Sequence, residues 1–445
     1  MSSYIERPRY FCSLGGALST LEALPETIPI LHCAIGCAGS IAWAQNGGSA
    51  LQVGGYCGGL AVPSSNVEEN DVIFGGASRL QEQVKTTLEL MDGRLYVILT
   101  GCVTEIIGDD IHAVASEFSD QGVDIVAANT GGFKGNSYYG YDLVLSAIAQ
   151  QYVKEGVPTK KGSVNILGIV PYMDAFWRGN LTGVRRLLQK LGVEVNTFFT
   201  YEDTLDNVRN SSAAELNIVL SDVYGLDTAK TYEEVHGVPY ITATLPIGPT
   251  ASEELLRDVA KTLRLDVDVE AVIREENLKY YKYLEPLADV YNDADLQKYA
   301  VIVADVNYAV SITRFLLDDL GWIPVITQFT DVLVEEQKEQ ITKKLTAAAP
   351  LQSPRVVFDT NASEVIRYIN ELYPKRAPDK YAETIAPAFV IGSSLERSVA
   401  SKIGAPHLSV SFPVSNRAVL GRGYTGFDGG LVLIEDLLSS AVAAR

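Results

Sequence analysis

The sequence predicts an α/β fold in which parallel β-sheets are flanked by helices on both faces. Three observations lead there. Short apolar runs of strand length alternate with longer segments whose apolar residues recur at helical spacing. The chain has 445 residues, too many for one ordinary core and enough for two or three. The alternation is also broken twice, at the charged stretch GVPTKKGS and at a polar helical segment over 274–291. Three units follow, 1–156, 157–292 and 293–445, alike in architecture but without a short sequence repeat.

Taken in order, the strand-length runs in the first unit are 95–100 and 123–128. The second unit holds 164–170, 193–199, 216–221 and 240–244, and the third holds 299–304, 323–328, 355–359, 388–392 and 407–411. Between them lie segments such as 181–191 (LTGVRRLLQKL) and 255–263 (LLRDVAKTL), whose apolar spacing predicts helices. The stretch 347–354 (AAAPLQSP) reads as a loop. Cys102 falls just past the run 95–100, at a strand's carboxyl end, and open parallel sheets bind ligands there. The following GDD leads into a helix starting near Ile111, with Asp109 or Asp110 as its N-cap.

With 47% hydrophobic and 20% charged residues the chain is globular rather than disordered. No apolar stretch reaches the roughly 18 residues of a membrane span. The N-terminal MSSYIERPRY has neither the apolar core nor the cleavage site of a secretory signal, so a cytoplasmic protein without membrane contact is expected. A net charge of −19 argues against nucleic acid, whose phosphates call for a concentrated basic surface. It is compatible with a basic docking partner, although acidity more often serves solubility.

The five cysteines are Cys12, Cys33, Cys37, Cys57 and Cys102. An odd number in a long chain makes a poor disulfide framework. Their crowding into the first quarter means either buried small hydrophobes or soft-metal ligands, and counting alone does not choose. Local context adds weight to the metal. Cys12 sits in YFCSLGGAL and Cys37 in HCAIGCAGS, where small residues let the backbone approach a bulky inorganic group. Thiolates are the preferred ligands of iron–sulfur clusters, and glycine-rich turns supply amide donors to inorganic sulfur. The spacing 12, 37, 102 matches no short ferredoxin pattern, and cysteines in such turns also occur without metal.

Several collinear motifs resemble the β-type subunit of the nitrogenase component 1 family. Cys12-Ser13-Leu14-Gly15-Gly16-Ala17 resembles that subunit's first ligand loop, and His32-Cys33-Ala34-Ile35-Gly36-Cys37 its second, H-x-x-x-G-C. Asn70-Asp71-Val72-Ile73-Phe74-Gly75-Gly76 is similar to the family's acidic-then-apolar segment. The run from Gly101 to Asp110 (GCVTEIIGDD) resembles the third ligand loop. The likeness continues through Phe133-Lys134-Gly135-Asn136 and the Tyr141 region. It returns at Ile391-Gly392-Ser393-Ser394 and Ser411-Phe412-Pro413, and is weak from about 200 to 380.

The resemblance implies three Rossmann-like domains and a set of partners. A homologous α-type subunit would complete an α2β2 heterotetramer, and the two chains would share a P-cluster ([8Fe-7S]), three cysteines from each. An ATP-hydrolysing iron protein would deliver electrons to it. The cluster would pass them to an active-site iron–sulfur cofactor held by the partner subunit, not by this chain. Motif by motif, the resemblance makes Cys12, Cys37 and Cys102 the cofactor-binding and metal ligands, leaves Cys33 and Cys57 structural, and gives His32 a hydrogen-bonding role. This chain would itself contribute no catalytic residue to the reductase.

Departures from the family pattern narrow the reading. No cysteine follows Cys102, and Ser411-Phe412 stands near the place of the α-type subunit's cofactor histidine, which favours the β type; His407 nearby reads as a satisfied histidine. Gly132, in Asn129-Thr130-Gly131-Gly132-Phe133, stands where molybdenum-type β subunits carry a serine that ligates iron on oxidation, so that ligand exchange is in doubt. Tyr424-Thr425-Gly426-Phe427-Asp428-Gly429 is partly similar to an α-type motif. Gly132 and the eleven residues before Cys12 favour the shorter, non-molybdenum relatives, alternative nitrogenases or nitrogenase-like reductases, and among these a methylthio-alkane reductase is preferred. The alternatives are the β subunit of a vanadium or iron-only nitrogenase and a cofactor-assembly scaffold. Retention of all three cysteines favours electron transfer over the scaffold.

Overall fold

The structure, a computed structural model, describes residues 5–6, 8–52, 62–293, 296–348, 353–374 and 388–444. Twelve strands among them form three sheets, and every strand pair is parallel. The first sheet has the order β1 (Thr27–His32), β2 (Leu95–Thr100), β3 (Ile125–Ala128). The second contains β4 (Lys160–Leu167), β5 (Glu194–Asn196), β6 (Ala214–Val219) and β7 (Tyr240–Thr242), in the order β5-β4-β6-β7. The third contains β8 (Tyr299–Ala304), β9 (Ile323–Phe329), β10 (Arg355–Phe358), β11 (Ala388–Gly392) and β12 (His407–Ser409), in the order β10-β9-β8-β11-β12.

The apolar runs become strands because both faces of these sheets are covered. All six residues of β2 (LYVILT) are buried, as a strand between two helix layers requires. Each of the eleven expected runs contains a strand, with ends shifted by a few residues, and β1 is additional. Two helical expectations move slightly. The run 181–191 belongs to the helix Trp177–Gln189, and Ala347 and Ala348 close the helix Glu335–Ala348 instead of opening a loop. Residues 349–352 of that expected loop lie outside the described residues.

Two helices of the first unit, α1 (Ser13–Ala23) and the later Ser137–Gln151, cross at glycines. A β-carbon on Gly16 would stand 1.6 Å from the Ser137 carbonyl oxygen, and one on Gly140 would stand 2.1 Å from that of Ser13. The backbones therefore touch, which fixes the start of α1, and Cys12 with it, against residues 135–137.

Sheet order reverses between β8 and β11, so the fold rule points to a crevice there. It is filled by the chain itself. Arg9 reaches in to donate to the Val303 carbonyl at 3.0 Å and to pair with Glu396, both buried. Ser411 Oγ donates to Asp305 Oδ2 at 2.6 Å beside it. The carboxyl ends of β1, β2 and β3 instead lead into the cysteine loops and the Gly132 loop.

Candidate metal centre

Each of the three predicted ligands opens a helix. Cys12 is the N-cap of α1, Cys37 is the first residue of α2 (Cys37–Gly48), and Cys102 is the first residue of the short helix Cys102–Ile107. Gly36 takes the left-handed backbone (φ 93°) that turns β1 into α2, a conformation glycine adopts without steric cost. A helix start leaves backbone amides free to donate to a bound group.

Gly132 draws two of the ligands together. Its N–H donates to Cys102 Sγ at 3.2 Å. A β-carbon there would lie 2.9 Å from Cys12 Cβ, 3.0 Å from Cys102 Sγ and 3.4 Å from Cys12 Sγ. The bare glycine leaves a cradle open between the two sulfurs. The helices that follow Cys37 and Cys12 approach each other, with Ile41 of α2 3.3 Å from the place of a β-carbon on Gly15 of α1. Among the described residues no three His, Cys, Asp or Glu side chains close on a single metal ion.

Hydrogen bonds hold the loops. His32, fully buried, bonds Ser65 Oγ through Nδ1 and Asp109 Oδ2 through Nε2, both at 2.9 Å. The carboxylate can only accept, so Nε2 carries the proton and Nδ1 accepts from the serine hydroxyl. Burial lowers the His32 pKa against the pull of Asp109, consistent with a neutral ring. The His32 carbonyl accepts from Gly101 N–H (2.8 Å) and Thr104 Oγ1 (2.7 Å), tying the second cysteine loop to the third. Asp109 Oδ1 accepts from Gly76 N–H at 2.9 Å, while Asp110 is the N-cap of the helix Ile111–Ser119. The expected structural roles of His32 and the two aspartates are thus given partners, and His407 donates to the Ser393 carbonyl at 2.9 Å.

Glu105 clamps the Gly132 loop from below. Its carboxylate accepts from Gly131 N–H (2.6 Å) and Thr100 Oγ1 (2.5 Å), and Lys134 pairs with it at 3.3 Å. Neither Glu105 nor Arg9 was identifiable from local pattern, because their partners are far along the chain. Asn136 forms an isolated bridge with Cys12 and caps the helix Ser137–Gln151.

Cys37 is pushed down to about 6 by a hydrogen bond from Cys33, with partial burial opposing the shift. Cys33 is pushed up, first by donating to Cys37 and then by burial. Cys57 lies outside the described residues. Cys102 is exposed, and Cys12 and Cys37 are half-buried. Nearby motif residues Ile35, Ile73, Phe74, Ile106 and Phe133 are 61–85% exposed. Large apolar side chains left exposed in this number are uncommon on the surface of a protein that acts alone.

A family model for nitrogenase component 1 type oxidoreductases matches residues 12–441. The chain belongs to this family. Among its relatives is the nitrogenase vanadium-iron protein beta chain of Trichormus variabilis, 25% identical and covering 94% of this chain and 90% of that protein. Another is the nitrogenase iron-molybdenum cofactor biosynthesis protein NifE of a Nostoc species, 27% identical over 76% of this chain and 68% of that protein. In fold the chain is similar to the solved structure described as "Nitrogenase Cp1 at pH 6.5", with a TM-score of 0.82 at 18% identity, covering all of this chain and 94% of the other. The family spans oxidoreductase subunits and cofactor-biosynthesis proteins alike, so membership fixes the fold and the broad class. No helix among the described residues is long and apolar enough to cross a membrane.

Proposed function

We propose that this chain is the β-type, electron-relaying subunit of a nitrogenase-like reductase, with Cys12, Cys37 and Cys102 as its ligands to a P-cluster shared with an α-type subunit. The observation that carries the reading is the cradle at Gly132, where two thiols from loops 90 residues apart in sequence meet around a gap that one β-carbon would fill. Three helix starts, a backbone N–H on Cys102 and cysteines too dispersed for one metal ion suit a polynuclear cluster. When bound, such a cluster supplies one-electron transfer. The chain's residues hold the thiolates, donate to sulfur and, with the partner, exclude water that would otherwise carry the thiolates toward oxidation.

The exposure around the site supports sharing. Three thiolates from this chain would leave half of an eight-iron cluster without protein ligands, and the exposed apolar residues around the cysteine loops suit a homologous subunit in an α2β2 assembly served by an ATP-hydrolysing iron protein. The substrate-reducing cofactor would lie on the α-type partner, because here Arg9, Asp305 and Ser411 fill the crevice of the third sheet. Gly132 supports a non-molybdenum or nitrogenase-like enzyme over a molybdenum-type one. A methylthio-alkane reductase is the preferred version, and the β subunit of a vanadium or iron-only nitrogenase is the alternative, supported by the likeness to the vanadium-iron beta chain. The likeness to NifE supports a second reading as an assembly scaffold. Mössbauer spectroscopy on the anaerobically purified complex separates these. An eight-iron cluster fits the reductase, four-iron clusters alone fit the scaffold, and absence of iron rules out both.

A further inference from the structure

The chain just before Cys12 is anchored in the third unit. Arg9 is buried, its Nη1 donates to the Val303 carbonyl on β8 at 3.0 Å, and its guanidinium pairs with the equally buried Glu396. Glu396 is fixed in turn, accepting from the N–H and Oγ of Ser393, just past β11, at 2.7 and 2.8 Å. Only Tyr10 and Phe11 separate Arg9 from Cys12, so at most about 11 Å of chain joins the anchor to the thiol-bearing residue. Phe11 narrows that freedom, because its ring meets Phe412 of the third unit edge-on at 5.6 Å and lies 2.3 Å from the place of a β-carbon on Gly15 of α1. On its other side Cys12 is held by the first unit, where Ser13 N–H and Oγ donate to the carbonyls of Gly135 (3.1 Å) and Gly131 (2.8 Å). Cys12 is the N-cap of α1, and helix ends fray where nothing ties them. Small displacements matter there, since the sulfurs of Cys12 and Cys102 both stand within 3.4 Å of one point, the place of a β-carbon on Gly132.

We propose that Arg9 is a positioning residue, which anchors the chain before Cys12 in the third sheet and so sets the approach of the Cys12 sulfur to that of Cys102. The inference rests on the reading of both cysteines as cluster ligands. It makes the spacing of two thiols carried by the first unit depend on a contact made in the third. Without the anchor, Ser13 keeps its bonds to the first unit while the N-terminal side of Cys12 is released. The chain still folds, and the two sulfurs share the cradle for less of the time.

The test uses the full chain, reduced and free of metal, and dibromobimane, which bridges two thiols only when both lie within its short reach. Mass spectrometry of digests follows the rate at which the Cys12–Cys102 bridge forms. In Arg9→Met that rate should fall about tenfold, because reaction between held groups follows their effective molarity. Arg9→Met leaves Glu396 buried without its partner, so the double variant Arg9→Met with Glu396→Gln, which removes both charges, is the one to read if the single variant does not fold. Arg9→Lys keeps a cation for Glu396 and should recover most of the wild-type rate. Arg185→Met breaks the pair with buried Asp203 in the second unit and is the control for lost stability alone, so its bridging rate should stay that of wild type. A wild-type bridging rate in the double variant would overturn the proposal, and so would an equal fall in Arg185→Met. Iron per complex, after purification without oxygen alongside the α-type partner, should fall together with the bridging rate in the Arg9 variants. Absence of iron from wild type, or its full retention in Cys102→Ala, would instead sink the ligand reading itself.

Discussion

Replacing Gly132 by alanine adds one methyl group at the point where Cys12 and Cys102 meet. The new β-carbon would stand 2.9 Å from Cys12 Cβ and 3.0 Å from Cys102 Sγ, against the roughly 3.5–4.0 Å of optimal non-bonded carbon contact. About 0.5–1 Å of movement is needed. The loop cannot easily supply it, because Glu105 grips Gly131 and the Thr130 N–H donates to Thr100 Oγ1 at 2.8 Å. Overpacking of this kind costs about 1–3 kcal/mol. Losing the Gly132 N–H bond to sulfur adds about 1 kcal/mol. The variant should therefore fold with a stability lower by about 2–4 kcal/mol, and lose most of its iron after anaerobic purification with its partner. Gly39→Ala is the control, since a β-carbon there meets nothing within 4 Å and alanine suits a helix better than glycine. Denaturant unfolding and iron analysis of the two variants decide the matter. Equal stability and full iron in Gly132→Ala would refute the idea that this glycine keeps a cradle open.

Three further outcomes are expected. Asp109→Ala leaves His32 Nε2 and the Gly76 N–H without their acceptor in a buried setting, and should lower stability by about 2–4 kcal/mol in denaturant unfolding, with Asp109→Asn milder. Asp331 is pushed up to about 7, by burial first and then by the charge of Asp305. The folded state therefore holds a proton that the unfolded chain releases near pH 4, and this contribution to stability falls as pH rises from about 4 to 7. Asp331→Asn should flatten that slope and raise the thermal midpoint at pH 8, as scanning calorimetry across pH would record. Phe74→Asp places a charge on an 85% exposed ring and should weaken assembly with the partner in sedimentation experiments while leaving the chain's own unfolding unchanged.

The strands were legible because two-sided burial demands continuous apolar runs, and such runs are rare elsewhere in the chain. β1 escaped that reading because Pro29 interrupts it. Proline donates no ladder hydrogen bond, and it is tolerated here because β1 forms one edge of the order β1-β2-β3. The helix Trp177–Gln189 starts before its apolar periodicity does, because Asp174 Oδ1 accepts the Phe176 N–H at 2.7 Å and begins the turn early. The ligand candidates were legible from motif, and so was the oddity of a glycine at 132. Why that glycine matters was not legible, because its contacts come from residues 12 and 102. Glu105 acts on a residue 26 positions away and Arg9 on one 294 positions away, and no local pattern carries such pairings.

The ligand assignment itself is tested most directly by counting iron in the anaerobically purified complex of wild type, Cys102→Ala and Cys33→Val, with Mössbauer spectra on each. The account predicts an eight-iron cluster in wild type, its loss in Cys102→Ala, and its retention in Cys33→Val. Full retention of that cluster in Cys102→Ala, or a wild-type complex without iron, would contradict it.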